Sequence, residues 1–163
     1  MMISKFSWKA YIPALIIAVL IAVLIFVGIV VLDPASAKLI LPITPLFLFP
    51  VLALVWLIYG ECRTKIIRVE LNMDHLIIRR YFGLSKPATY YYTDLAGFTT
   101  TVLPAQSTSY EYLYIKYGGK NAGKLSAFYH RNYADMKAEL RTRISDLGYV
   151  DFSYLDEVKE IFS

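Results

Sequence analysis

The chain has 163 residues, a formal net charge of +4 and a hydrophobic fraction of 57 %, above the roughly 45–50 % of ordinary soluble domains. The single cysteine, Cys62, rules out an intrachain disulfide framework. The small, dispersed charge argues against a nucleic-acid surface, so no nucleic acid is expected as a partner.

The apolar excess lies ahead of Glu61. Residues 10–32, "AYIPALIIAVLIAVLIFVGIVVL", carry no charge, and a bilayer core takes about 20 helical residues. A second run, "LILPITPLFLFPVLALVWLIY", covers 39–59, and only "DPASAK" separates the two. This pattern predicts a transmembrane helical hairpin over residues 1–62, with spans at about 10–32 and 39–59. A cleaved leader is disfavoured, because the first run is too long for a signal h-region and a second follows at once.

Basic residues set the expected orientation. Lys5 and Lys9 precede the first run, while Arg63, Lys65 and Arg68 follow the second; the connection has Lys38 offset by Asp33. Both termini are therefore expected in the cytoplasm. Ala14, Ala18 and Ala22 recur every fourth residue and predict a helix–helix packing stripe. The second run carries Pro42, Pro45 and Pro50, which predict kinks. Thr44 is its only polar side chain ahead of Tyr59, too little for a transport site.

After Cys62 the apolar period becomes two. In "KIIRVELN", Ile67, Val69 and Leu71 alternate with Ile66, Arg68 and Glu70. "NMD" supplies a turn, and "HLIIRRYFG" places Leu76, Ile78 and Phe82 on one face, which together read as a β-hairpin. "ATYYYTDL" and "GFTTTVL" follow, divided by a bend or bulge near Ala96–Gly97. "PAQSTS" is a polar loop; "YEYLYIKY" is a strand with Leu113, Ile115 and Tyr117 on one face; "GGKNAG" turns the chain into a strand at "KLSAFYH".

The period then changes to that of a helix. Tyr133, Met136, Leu140, Ile144 and Leu147 form one stripe over about 132–147, with Asn132 as N-cap and Gly148 as the residue past the end. A short tail helix is expected to start at Ser153. The result is a domain over 63–163 of α+β class: six or seven antiparallel strands closed by a C-terminal amphipathic helix.

An aromatic run leading into Asp94 and Leu95, "YYYTDLAGF", set after apolar runs and a strand pair and before a terminal helix, resembles the bacterial pleckstrin-homology-like membrane proteins. The resemblance implies a PH-like sheet or partial barrel carried on the two-helix hairpin, at the inner membrane of a bacterium. It implies little about activity.

No pattern predicts chemistry. His75 and His130 are far apart and lack metal-ligand spacing, so no metal is expected. "YGGKNAG" lacks the spacing of a phosphate-binding loop. No cofactor is expected, and the chain reads as a non-enzyme. Arg63, Lys65, Arg68, Arg79, Arg80 and Lys86 are candidate contacts for anionic lipid. The first hairpin loop, "NMDH", is short and acidic, so the headgroup site of lipid-binding relatives does not carry over. The expected role is a membrane-anchored scaffold binding a protein partner or the membrane surface. The alternative is an accessory subunit of a membrane transport or secretion complex. Membrane lipid and a protein partner are the expected contacts, with homo- or hetero-oligomers compatible with either role.

Overall fold

The structure, a computed structural model, describes residues 1–32, 40–103 and 109–162. The chain begins with a two-residue strand, β1 (Met2–Ile3), and a 3-10 turn at Trp8–Ala10 capped by Ser7. Helix α1 (Tyr11–Leu32) follows, as expected from its unbroken apolar, charge-free run. Helix α2 (Ile40–Val55) runs into a π-helix at Trp56–Cys62. Then come β2 (Arg68–Leu71), β3 (His75–Arg79), β4 (Ala88–Tyr91), β5 (Leu95–Leu103), β6 (Tyr110–Tyr117) and β7 (Lys120–Ser126). The chain closes with α3 (Tyr133–Arg141), β8 (Asp146–Tyr149) and α4 (Tyr154–Phe162).

The expected two-span hairpin is corrected. Among the described residues one helical stretch, Trp8–Ile29, is long and apolar enough to cross a membrane, with 22 residues and a mean hydropathy of 3.2. The second apolar segment is divided into the 16-residue α2 and the seven-residue π-helix. Its register changes near the end: the Arg63 amide donates to Ile58 O at 3.0 Å and the Ile66 amide to Glu61 O at 3.2 Å, both five residues back. The three prolines do not interrupt α2; Pro42 falls in its first turn, where the missing donor has no helical acceptor. The side chains of Pro42, Thr44 and Pro45, and the whole "DPASAK" connection over 33–38, lie outside the described residues.

The expected single sheet of six or seven strands is also corrected. The described strands form two sheets of four, ordered β1-β2-β3-β4 and β7-β6-β5-β8. Two strands escaped the alternation argument. Two-residue β1 is too short to show a period; it pairs with β2 through Met2–Leu71 and Ile3–Glu70. β8 joins β5 in parallel, with Phe98 opposite Asp146. The helix therefore ends at Arg141, not 147: Leu147 is half exposed in β8, and Gly148 (φ +89°) lies within that strand. Thr142, a poor helix former, turns its hydroxyl back to Glu139 O.

The core lies between the sheets. Ile67, Val69, Leu71, Leu76 and Ile78 from the first sheet and its lead-in meet Phe98, Leu113, Ile115 and Leu125 from the second. Tyr133, Met136 and Leu140 of α3 fill the open side. Burial alternates residue by residue in β3, whereas β5 is buried on both faces over Gly97–Thr101 and β8 is exposed throughout. A smaller cluster sits at the base of the helical segment: Ala10, Cys62, Ile66 and Tyr129, packed by Phe6, Ile17, Phe82 and Phe128.

Candidate membrane-proximal charged site

The helical segment is held at both ends by the same β domain. Ser4 is buried; its amide donates to Val69 O at 2.8 Å, and its hydroxyl accepts from the Val69 amide at 2.9 Å. The Lys5 amide donates to Asn132 Oδ1 at 2.7 Å, and Asn132 Nδ2 donates to Ile3 O at 2.9 Å. Asn132 thus ties down residues 3–5 and makes no side-chain cap to α3. Lys9 places its ammonium 4.7 Å from the Phe128 ring centre and 5.4 Å from that of Tyr110.

Just past the π-helix lies a buried ionic network. Lys65 Nζ meets Glu61 Oε1 at 2.6 Å and Glu157 Oε1 at 2.9 Å. Lys124 Nζ, from β7, meets Glu157 Oε2 at 3.2 Å. The Tyr129 hydroxyl donates to Glu61 Oε2 at 2.7 Å. Lys124 is fully buried, with its ammonium 4.9 Å from the Tyr114 ring centre. The network occupies the polar back of the second sheet, where Thr99, Thr101, Lys124 and Ser126 are all buried. It fastens α4 to that sheet and to the end of the π-helix.

Opposed effects decide the charges. Burial alone would lower the Lys65 pKa, but Glu61 and Glu157 outweigh it and hold the ammonium above its ordinary value. Burial alone would raise the Glu157 carboxyl; Lys124 and Lys65 reverse this and hold it below the ordinary range. Burial, then Glu61, pushes the Tyr129 phenol up. Lys65 and Glu157 are therefore both held in their charged forms, which suits a structural clamp better than a proton relay.

Beside the clamp is an open groove of about 1370 Å³, including its solvent-filled mouth. Arg63, Arg80, Lys116, Lys120 and Lys159 line it, and no acidic side chain does among the described residues. Its geometry follows from local turns. Gly118 and Gly119 have φ of +53° and +77°, the two positive angles a type I′ hairpin requires, and they set Tyr117 opposite Lys120 and Lys116 opposite Asn121. Lys116 Nζ donates to Asn121 Oδ1 at 2.7 Å. Gly123 lets β7 approach the first sheet; a Cβ there would lie 2.7 Å from Ile78 Cδ1. Arg63 directly follows the π-helix, so the groove opens where the helical segment meets the β domain.

The candidate lipid contacts separate into three groups. Arg63 and Arg80 line the groove. Lys65 is buried in the clamp, while Arg68 and Arg79 pair with Glu70 at 3.1 and 3.0 Å. Lys86 is exposed outside the groove. Three groove cations, Lys116, Lys120 and Lys159, are distant in sequence and carried no signal; the only hint was a lysine inside "YGGKNAG". Ala14, Ala18 and Ala22 are exposed on α1, whereas Ile17, Leu20 and Leu24 are partly covered. His130 is buried with both ring nitrogens against backbone: Nε2 lies 2.8 Å from Ile67 O, and Nδ1 3.2 Å from the Ser126 amide.

Comparison with known proteins finds no matching family model, no matching curated protein and no matching solved structure.

Proposed function

We propose that this chain is a non-enzymatic interaction module held at a membrane by its apolar helical segment. Its β domain and residues 2–5 lie together on the cytoplasmic face. The observation that carries this is the exposure of α1: only 11 % of its most apolar window is buried inside the protein. Leu15, Val19, Ile25, Phe26 and Ile29 are each more than half exposed. A core helix would be covered, and exposed apolar area on this scale needs a nonaqueous partner. A removable leader fits poorly, because residues 2–5 are hydrogen-bonded into the β domain.

Residues 2–5 and β2 are hydrogen-bonded into one domain, so the two lie on one side of any membrane that the apolar segment enters. Lys5, Lys9 and Arg63 lie at that side, and an excess of Lys/Arg marks the cytoplasmic face. Alkaline carbonate extraction of membranes containing the full chain tests the anchor: the protein should stay in the pellet, and release into the supernatant would overturn the reading. A reporter active only outside the cytosol, fused after Ser163, should stay silent; strong activity would overturn the orientation.

A further inference from the structure

We propose that the β3–β4 loop is a second lipid contact, which seats Leu84 in the bilayer interface beside the start of α1; the proposal rests on the membrane reading above. The loop is built around a 3-10 turn at Tyr81–Gly83. Tyr81 and Phe82 hold φ of +52° and +59°, a left-handed backbone that bulky side chains rarely adopt. Such strain persists only where surrounding contacts fix it. Here the Phe82 amide donates to Ile66 O at 2.9 Å. The Phe82 ring lies 5.8 Å from each of the Phe6 and Tyr11 rings, centre to centre, and stacks on the second. Tyr11 is the first residue of α1 and Phe6 precedes it, so the loop is pinned where the chain enters the helical segment.

The same turn sends Leu84 outward. The Leu84 amide donates to Tyr81 O at 3.0 Å, the Gly83 amide to Arg80 O at 3.1 Å, and Ser85 Oγ accepts from the Arg80 amide at 2.7 Å. These bonds leave the tip little freedom to fold its leucine back, and Leu84 is 86 % exposed. What covers it follows from its neighbours. Trp8 and Tyr11 at the start of α1, and Trp56 and Tyr59 in the π-helix, are exposed at the two points where the helical segment joins the β domain. Tryptophan and tyrosine favour the headgroup level of a bilayer, and the exposed apolar surface of α1 runs on from Tyr11. A leucine held beside Tyr11 therefore meets the same lipid as α1. A single exposed leucine needs no explanation by itself; its location is what distinguishes it. Met73, in the β2–β3 turn, is 85 % exposed but lies at the other end of the same hairpin, beyond the four residues of β2, which rise about 3.3 Å each. The proposal gives these two equally bare side chains different surroundings.

The test uses the full chain in vesicles of equal parts phosphatidylcholine and phosphatidylglycerol. Leu84→Cys, Met73→Cys and Val19→Cys are each labelled with an environment-sensitive fluorophore, and quenching by spin-labelled lipid is read. The parent, whose Cys62 is buried, gives the background. All three positions are exposed, so the substitutions leave the core intact. The label at 84 should be quenched best by a shallow spin label and the label at 19 by a deep one, while the label at 73 should stay at background. Quenching at 84 no greater than at 73 would overturn the proposal, and it falls alone if the label at 19 is still quenched. Loss at both 19 and 84 would overturn the membrane reading with it. Quenching at 84 without quenching at 19 would keep the loop contact and overturn the reading of α1 as the anchor. A label at 84 whose emission shifts to the blue without lipid quenching would show a protein surface on the tip, a second copy or a partner, and would overturn the proposal too.

Discussion

His130 shows how one residue acts in this fold. Its ring is 1 % exposed and bridges Ile67 O and the Ser126 amide, joining the lead-in of β2 to the turn after β7. Burial lowers its pKa below 6.5, against two backbone hydrogen bonds that favour the charged form. The sign follows directly: as pH falls below 6.5 the unfolded chain takes up a proton before the folded one does, so stability declines on acidification. Thermal melts of the full chain in detergent should show this decline, and His130→Gln should flatten it in that interval. A parent whose melting temperature stays level as pH falls below 6.5 would refute the assignment. In the sequence His130 looked like a strand end and Asn132 like a helix cap. Both contact residues more than 60 positions away, and contacts at that separation leave no local pattern to read.

At the scale of elements, periodic segments were legible and junctions were not. The strands with one buried face and the start of α3 follow the alternation and the stripe, because burial itself imposes those periods. Leu140 is fully buried in the core, whereas the Arg141 side chain is about half exposed and pairs with Asp146. Leu140→Ala should therefore cost about 2–5 kcal/mol, and Arg141→Ala about 0.5 kcal/mol or less, compared by melting the full chain. Equal melting temperatures would mean that α3 does not close the core. The β5–β8 junction depends on one glycine: Gly97 has φ +136°, and a Cβ there would lie 2.3 Å from Ser145 O. The sequence reads that position as a bend or bulge, and the β5–β6 register does shift between Leu95 and Gly97; the strand β8 beside it is hidden because its residues extend the helical stripe. The clamp on α4 is invisible in the sequence for a different reason: Glu61 and Lys65, Lys124, and Glu157 come from three distant parts of the chain, and only the folded sheet and helix bring them together. Glu157→Gln removes the anion shared by Lys65 and Lys124, whose side chains are 11 % and 1 % exposed. Leaving buried cations underpaired should cost about 3–5 kcal/mol, seen first as loss of amide-exchange protection in α4. Retained protection would show that apolar contacts, not the clamp, hold the helix.

For the molecule as a whole, the decisive feature is that the chain leaves the β domain at Tyr11 and is back in it by Arg68, with the segment before α1 serving as a sheet strand. β1 is only two residues long, so two main-chain pairs alone would hold it weakly. What fixes it is the surrounding set of contacts: Ser4 exchanging hydrogen bonds with Val69, Asn132 binding residues 3 and 5, and the Arg131 amide donating to Lys5 O at 2.8 Å. These bonds close a loop around the helical segment, tying the chain just ahead of α1 to β2 and to the turn before α3. Asn132→Ala would remove the two side-chain bonds to residues 3 and 5 and leave a partly exposed strand end underpaired, at about 0.5–1.5 kcal/mol. The expected result is local: faster amide exchange at Ser4 and Val69 with little change in the strands of the second sheet. If exchange at Val69 matches the parent, β1 is held by the pairing with β2 alone. If protection falls equally in both sheets, Asn132 supports the whole core and not the closure of the helical segment.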